Sequence, residues 1–275
     1  MRSKMKNDTA KHAILILFGI ITFFPFVFII LTSFKSSYQI THNFWGLPWP
    51  MQMSNYRDAW SMLYSYFTNS LVITISTVIG VLFISSLSAF IFSRYKFPGK
   101  EFLFMMIIAL MMVPAILLLV PQFLLVKSLG LLNTRLALIL PYISGGQVFA
   151  IFVLRSFMES IPGELFEAGV MDGVSTFQSY VHIAMPLSRP TLSTIAILNI
   201  LGTWNDYVWP LVTISKNSLW TISVGVMSFS STTGNFESRG IMFAGYVIAS
   251  LPLIILFFFT MRAFVGGLTS GAIKV

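Results

Sequence analysis

One carboxylate, Asp206, falls inside a long apolar run, with Trp204 and Asn205 directly before it. Insertion scales put such a residue at about 2.5 to 3.5 kcal/mol near a bilayer centre, so an acid kept there calls for a function or a partner. Trp204 offers an aromatic face on which a ligand ring could stack, while Asn205 and Asp206 offer hydrogen-bonding groups for a polar cargo on a pathway through the membrane. The same side chains suit a structural task equally well, tying one helix to another through interhelical hydrogen bonds. Asn199, Gln147 and Tyr142 also lie in apolar runs and read as helix glue. Other chemistry is thinly supplied. The chain has no cysteine, which excludes disulfides, thiolate metal sites and cysteine nucleophiles. His12, His42 and His182 are far apart, and no serine is placed to pair with His182. No metal centre is expected.

A second group of chemically useful residues lies in the stretch 155–189, too long for a simple connection between neighbouring helices. Ser160 reads as an N-cap, Pro162 falls in the first turn and Glu164 puts negative charge at the positive end of the helix dipole, predicting a short helix to Asp172. Gly173 supplies a left-handed residue to end it, and Ser175 with Gln178 forms a capping box that opens a second helix, stopping before Pro186. Glu164, Glu167, Ala168 and Met171 share one face of the first helix, small residues beside carboxylates, a face able to enter a groove on a partner. Phe177, Val181 and Ala184 make an apolar stripe on the second, able to pack on the ends of other helices. A solvated hairpin with no partner has the same spacing.

The elements that hold these residues are membrane helices. Of 275 residues 56% are hydrophobic and 9% charged, with 27 Phe, a composition that leaves no charged surface for water. Six stretches reach or approach the roughly 20 residues that cross a bilayer: Ala13 to Ser33, Asn69 to Phe92, Phe102 to Val126, Leu136 to Leu154, Pro190 to Val212 and Gly240 to Met261. The first is long and lacks an A-x-A cleavage site, so it reads as an uncleaved span. With the N-terminus inside, Arg2, Lys4, Lys6, Lys11, Arg94, Lys96, Lys100, Arg155, Arg189, Arg262 and Lys274 face the cytoplasm, while Lys35, Arg57, Lys127, Arg135, Lys216 and Arg239 face outward. That bias predicts both termini inside, and Trp45, Trp49, Trp60, Tyr64 and Tyr66 suit an outer interface. The net charge of +8 is scattered among apolar spans instead of gathered into a nucleic-acid patch. Pro25, Pro114, Pro121, Pro141, Pro210 and Pro252 lie in or near spans and are expected to kink them.

The run Glu167-Ala168-Gly169-Val170-Met171-Asp172-Gly173, followed by Ile183, Pro186 and Pro190, resembles the E-A-A loop of permease subunits of binding-protein-dependent ABC importers. Gly169 stands where a second alanine is usual, and Met185 where a leucine usually precedes the proline. The likeness extends over nearly the whole chain. Asn69-Ser70-Leu71, Trp204-Asn205-Asp206, Trp209-Pro210-Leu211 and the tail Gly267-Leu268-Thr269-Ser270-Gly271-Ala272-Ile273-Lys274 look like the carbohydrate branch, closest to the smaller permease of maltose-type transporters.

This resemblance implies an all-α polytopic protein of six transmembrane helices with the type I ABC importer permease fold, one transmembrane domain over 1–275 with a cytoplasmic coupling loop at 155–189. It implies a multi-pass protein of the bacterial inner membrane that works with a second related permease, two ATPase subunits and an extracellular solute-binding protein to import a sugar or oligosaccharide. Glu164, Glu167, Ala168, Gly169, Asp172, Gly173, Ile183 and Pro186 then belong to the coupling helix that docks on the ATPase. Glu167 would pair with a basic group there, Ala168 and Gly169 permit close approach, and Gly173 makes the bend. Gly271 and Lys274 of the tail could contact the ATPase, or the tail could be a frayed basic end. No G-x-x-x-x-G-K-S/T run occurs, so no P-loop cradles ATP in this chain, and ATP and Mg²⁺ would be held by the partner ATPase, leaving this chain a transport subunit with no cofactor or catalytic residue of its own. The rival readings are a proton-coupled secondary transporter using Asp206, which leaves the hairpin without a task, and a membrane enzyme built on His182.

Overall fold

Apolar runs without water must satisfy every backbone N–H and C=O internally, and in a computed structural model this chain does so with helices throughout the described residues, 2–232 and 239–272, side chains being described over 11–228 and 239–260. In chain order the helices are α1 (Arg2–Ser33), α2 (Ser37–His42), α3 (Ser54–Arg94), α4 (Lys100–Leu110), α5 (Ala115–Ser128), α6 (Leu136–Ser160), α7 (Glu164–Met171) and α8 (Thr176–Ser179). A π-helical turn, Tyr180–Ala184, leads into α9 (Met185–Leu187), then α10 (Arg189–Asn205), α11 (Val208–Thr213), α12 (Ile222–Thr232) and α13 (Arg239–Ala272).

Four of these contain segments long and apolar enough to cross a membrane: Lys11–Ser33, Ser54–Arg94, Leu136–Ser160 and Arg239–Thr260. The expected third span is broken: α4 and α5 meet at 100° across Met111–Pro114. Pro114 lacks an N–H and disfavours helical backbone in the residue before it, which accounts for the elbow. The expected fifth span is broken as well. Its helical part, α10, has 17 residues and stops at Asp206, and α11 follows after Tyr207. Pro25, Pro121, Pro141 and Pro252, in contrast, lie inside continuous helices. The helix of the second expected span, α3, starts about four turns before the apolar stretch that announces it, because Asn55, Ala59 and Leu63, spaced by four, form a buried stripe on its first turns.

The chain divides into two compact units, Met1–Tyr64 with Gly225–Leu251, and Ser65–Val224 with Pro252–Val275. In the first, the buried Lys35 ammonium donates to the Asn43 and Phe44 carbonyls at 3.3 and 2.6 Å, and Asn55 Nδ2 donates to the Ser33 and Lys35 carbonyls. Burial pushes the Lys35 ammonium below its ordinary pKa. Phe28 packs against Phe44, Trp45 and Phe243.

The second unit carries two apolar clusters at opposite ends of α6. Ala150, Leu154 and Met158 pack with Val81, Ala89, Phe90, Tyr180, Ala184 and Ile195 at one end. Ala137 and Leu138 pack with Ile73, Val126, Trp209 and Ile214 at the other. Between them a Cβ at Gly146 would collide with the Asn199 carboxamide and with Val81, so α3, α6 and α10 approach closely there.

Candidate functional site

The hairpin formed by α7, α8 and the π turn begins where α6 ends. Ile161 leaves helical geometry at φ −70°, ψ 128°, and α7 starts from Gly163 with no side-chain cap. Ser160 therefore does not cap it: α6 runs on through Ser160, whose hydroxyl donates back to the Phe157 carbonyl at 2.7 Å. Glu164 and Glu167 lie in the first turn of α7, where negative charge favours the dipole. The helix ends at Met171, with Asp172 as the capping residue and Gly173 at φ 76°, a left-handed turn that glycine takes without a Cβ penalty. Val174 N–H then donates to the Gly169 carbonyl at 2.8 Å, and the Ser175 and Gln178 capping box opens α8 with both reciprocal bonds formed.

The second arm continues through Pro186 instead of stopping before it. The π turn over Tyr180–Ala184 widens the helix just ahead of Met185-Pro186, and Pro186 falls in the first residues of α9. An ordinary α-turn would set the proline ring against the carbonyl four residues back, and the wider turn relieves that clash.

The hairpin has two chemically different sides. Gly169 is buried, and a Cβ there would stand 3.1 Å from Ile183 Cδ1, so glycine lets the two arms close on each other. Glu164, Glu167, Ala168, Asp172 and Gly173 are exposed, as are Leu165, Val170, Met171 (87%) and Phe177 (68%). The outer side is thus a carboxylate-flanked apolar surface with nothing over it among the described residues. Pro186 and Ile183 are half-buried.

The inner side is fastened to the membrane helices by groups that sequence spacing did not single out. Arg94, the last residue of α3, donates to the Met158 and Ile161 carbonyls at the end of α6, the second at 2.8 Å, and its guanidinium lies 4.0 Å over the Phe166 ring of α7. Tyr180 hydroxyl and Ser86 Oγ are hydrogen-bonded at 2.7 Å inside the cluster, with Phe90 against both Tyr180 and Phe166. Arg155 on α6 binds Glu159 at 2.8 Å and both oxygens of Glu101 at 2.9 and 3.1 Å, stacking 3.7 Å over Phe104 of α4. The arginines at 94 and 155 read in the sequence as topology charges. Apart from Glu159, one turn on from Arg155 in the same helix, their partners lie dozens of residues away, beyond any local pattern.

The three pathway candidates separate. Trp204 is 4% exposed, set edge-on against Phe67 at 5.7 Å, and offers no open face. Asn205 is exposed and donates to the Leu201 carbonyl. Asp206 lies in the break between α10 and α11, not within a continuous span: Oδ1 accepts from the Val208 and Trp209 N–H groups at 3.0 and 3.4 Å, and Oδ2 accepts from Tyr142 hydroxyl at 2.8 Å. That geometry matches the helix-tying alternative. Of the tail candidates, Lys274 lies outside the described residues, and Gly271 lies within α13.

Residues 81–269 match the model of the family described as binding-protein-dependent transport system inner membrane component. The chain is 30% identical to the diacetylchitobiose uptake system permease protein of Streptomyces coelicolor over 96% of this chain and 88% of that one. It is 33% identical to an arabinooligosaccharides transport system permease protein of Halalkalibacterium halodurans, covering 92% of each, and 30% identical to the trehalose/maltose transport system permease protein of Thermococcus litoralis, covering 98% and 99%. In structure it resembles a chain of a bacterial ABC transporter involved in import of the acidic polysaccharide alginate, with a TM-score of 0.84 at 22% identity over 95% and 98% of the two chains.

Proposed function

The chain belongs to the family of inner-membrane components of binding-protein-dependent transport systems, and from that premise we propose that it is the pathway-forming permease subunit of an ATP-driven importer of a sugar or oligosaccharide. It is a multi-pass membrane protein of transport, and its energy comes from two separate ATPase subunits that bind ATP and Mg²⁺. A second permease and an extracellular solute-binding protein complete the assembly. The curated relatives named for diacetylchitobiose, arabinooligosaccharides and trehalose/maltose support a carbohydrate cargo.

One observation carries the mechanical part: the α7–α8 hairpin presents an apolar face, exposed among the described residues and ringed by Glu164, Glu167 and Asp172, while its other side is bolted to the adjoining ends of α3 and α6 through Arg94, Phe166 and Tyr180. A surface open to a partner and rigidly joined to two membrane helices is what a lever needs. When ATP closes the ATPase dimer, the hairpin moves with it, and the helices shift between inward and outward access. The partner thereby selects one of two states by binding it better. Gly271 and Lys274 are assigned to the same interface.

The test is uptake of labelled oligosaccharide by cells carrying the full assembly. Uptake should vanish when the ATPase cannot hydrolyse ATP and should survive a protonophore as long as ATP is maintained. The opposite pattern would return Asp206 to the role of proton carrier and remove the hairpin's.

A further inference from the structure

Basic residues are disfavoured on the outer face of a membrane protein, so those found there need a reason. Lys127, Arg135 and Lys216 belong to the end of the second unit opposite the hairpin. α6 runs 25 residues, about 37 Å, between Arg135 and the chain's entry into the hairpin. All three are exposed and form no ion pair among the described residues. The structure gathers them. Val126, Ala137 and Ile214, one or two residues from each cation, share one buried cluster. Asn133, in left-handed geometry at φ 59°, accepts from the Ser215 and Lys216 N–H groups and from Ser215 Oγ, and its own N–H donates to the Thr213 carbonyl. Asn69 donates to the Ser218 and Trp220 carbonyls and accepts from Arg135 Nε and Nη2 at 3.2 and 2.9 Å. Two N–H groups of Arg135 are thus spent on one neutral acceptor and the rest are left for another. Nor does Arg135 serve its own helix, since a cation beside the first turn opposes the dipole, and no acid lies in that turn.

We propose that Lys127, Arg135 and Lys216 form a docking patch for a carboxylate-rich face of the solute-binding protein. The proposal rests on the transport reading above, which decides that this end faces outward. The two loops are pinned by side-chain bonds before any partner arrives, so little ordering entropy is lost on docking. The chain they present, Ser215-Lys216-Asn217-Ser218, is polar and exposed, suited to a protein surface in water. Asp206, whose partners Tyr142 and Trp209 belong to the same cluster, is occupied by the Tyr142 hydroxyl and two backbone N–H groups, and no acid forms an ion pair with the patch among the described residues. Clustered charge of one sign acts chiefly on encounter rate and on partner choice, and its effect falls with salt.

The experiment uses the assembled importer in nanodiscs of neutral lipid and measures ATPase stimulation against the concentration of liganded binding protein, at low and at several-fold higher salt. Lys127→Glu with Lys216→Glu is the main variant, because neither side chain supports the fold. Arg135→Gln, which can still reach Asn69, is the second. The double variant should raise the half-maximal concentration about tenfold at low salt, with the difference shrinking at high salt and the saturated rate retained. Wild-type response with an unchanged salt dependence would overturn the patch and leave the transport function standing, whereas a chain that recruits no ATPase would overturn both. A shift that appears only when anionic lipid is added would assign the cations to headgroups and overturn the proposal.

Discussion

Gly169 illustrates how a single missing methyl group sets the geometry of the hairpin. Its position would bring a Cβ to 3.1 Å from Ile183 Cδ1, so alanine requires a few tenths of an ångström of movement from a flexible side-chain end. Gly169→Ala should cost no more than about 1 kcal/mol in thermal unfolding, and Ile183→Val beside it should restore most of that. Gly169→Leu should separate the arms and abolish co-purification of the ATPase. An alanine variant as damaging as leucine would refute the packing assignment. Arg94 works differently: Arg94→Met keeps much of the bulk over Phe166 but leaves the Met158 and Ile161 carbonyls without their donor. A loss of about 2 kcal/mol is expected from two charge-assisted bonds. The more telling readout is that ATPase should still be recruited while each hydrolysis yields less uptake, since the docking face remains and one tie to α3 is cut, leaving the Tyr180–Ser86 bond and the Phe90 packing.

At the scale of elements, the locally encoded parts of the site were legible in the sequence and the rest was not, for physical reasons. The Ser175 and Gln178 capping box and the left-handed Gly173 depend on residues three positions apart or on one residue alone, and both form as read. The start of α7 was misplaced because Ser160 competes for a closer acceptor, the Phe157 carbonyl, once packing of Leu154 and Met158 prolongs α6. The passage of the second arm through Pro186 was hidden because a π turn has no sequence signature of its own. Asp206 was read as an acid inside a span, since an apolar run on either side looks continuous from hydropathy. The break is instead stabilised by that same carboxylate, which caps α11 and ties α10 to α6 through Tyr142. Asp206→Ala should therefore lower stability by about 1 to 2 kcal/mol, as loss of a cap does, while Asp206→Asn retains an acceptor for the N–H groups and loses less. Thermal unfolding of the two variants in detergent decides this. Equal losses would mean that charge, not capping, is what the break requires.

Across the whole molecule, the lever and the docking patch both require the two ends of the second unit to face opposite sides of the membrane, with α6 running between them. The absence of cysteine makes this testable with little background, because any thiol introduced is the sole one. Met171, 87% exposed on the hairpin, and Asn217, exposed on the loop that carries Lys216, mark the two ends without supporting the fold. Asn217→Cys should react with a membrane-impermeant maleimide in intact spheroplasts, and Met171→Cys should react only in inverted vesicles or after permeabilisation. Adding the ATPase subunits should then protect Met171→Cys and leave Asn217→Cys unchanged, because the hairpin face closes on its partner while the opposite loops remain in the outer medium. Labelling of Met171→Cys from outside would place the acidic hairpin beyond the reach of any cytoplasmic ATPase. The basic loops would then lie on the side where positive charge is ordinarily retained, and neither the lever nor the docking patch would survive.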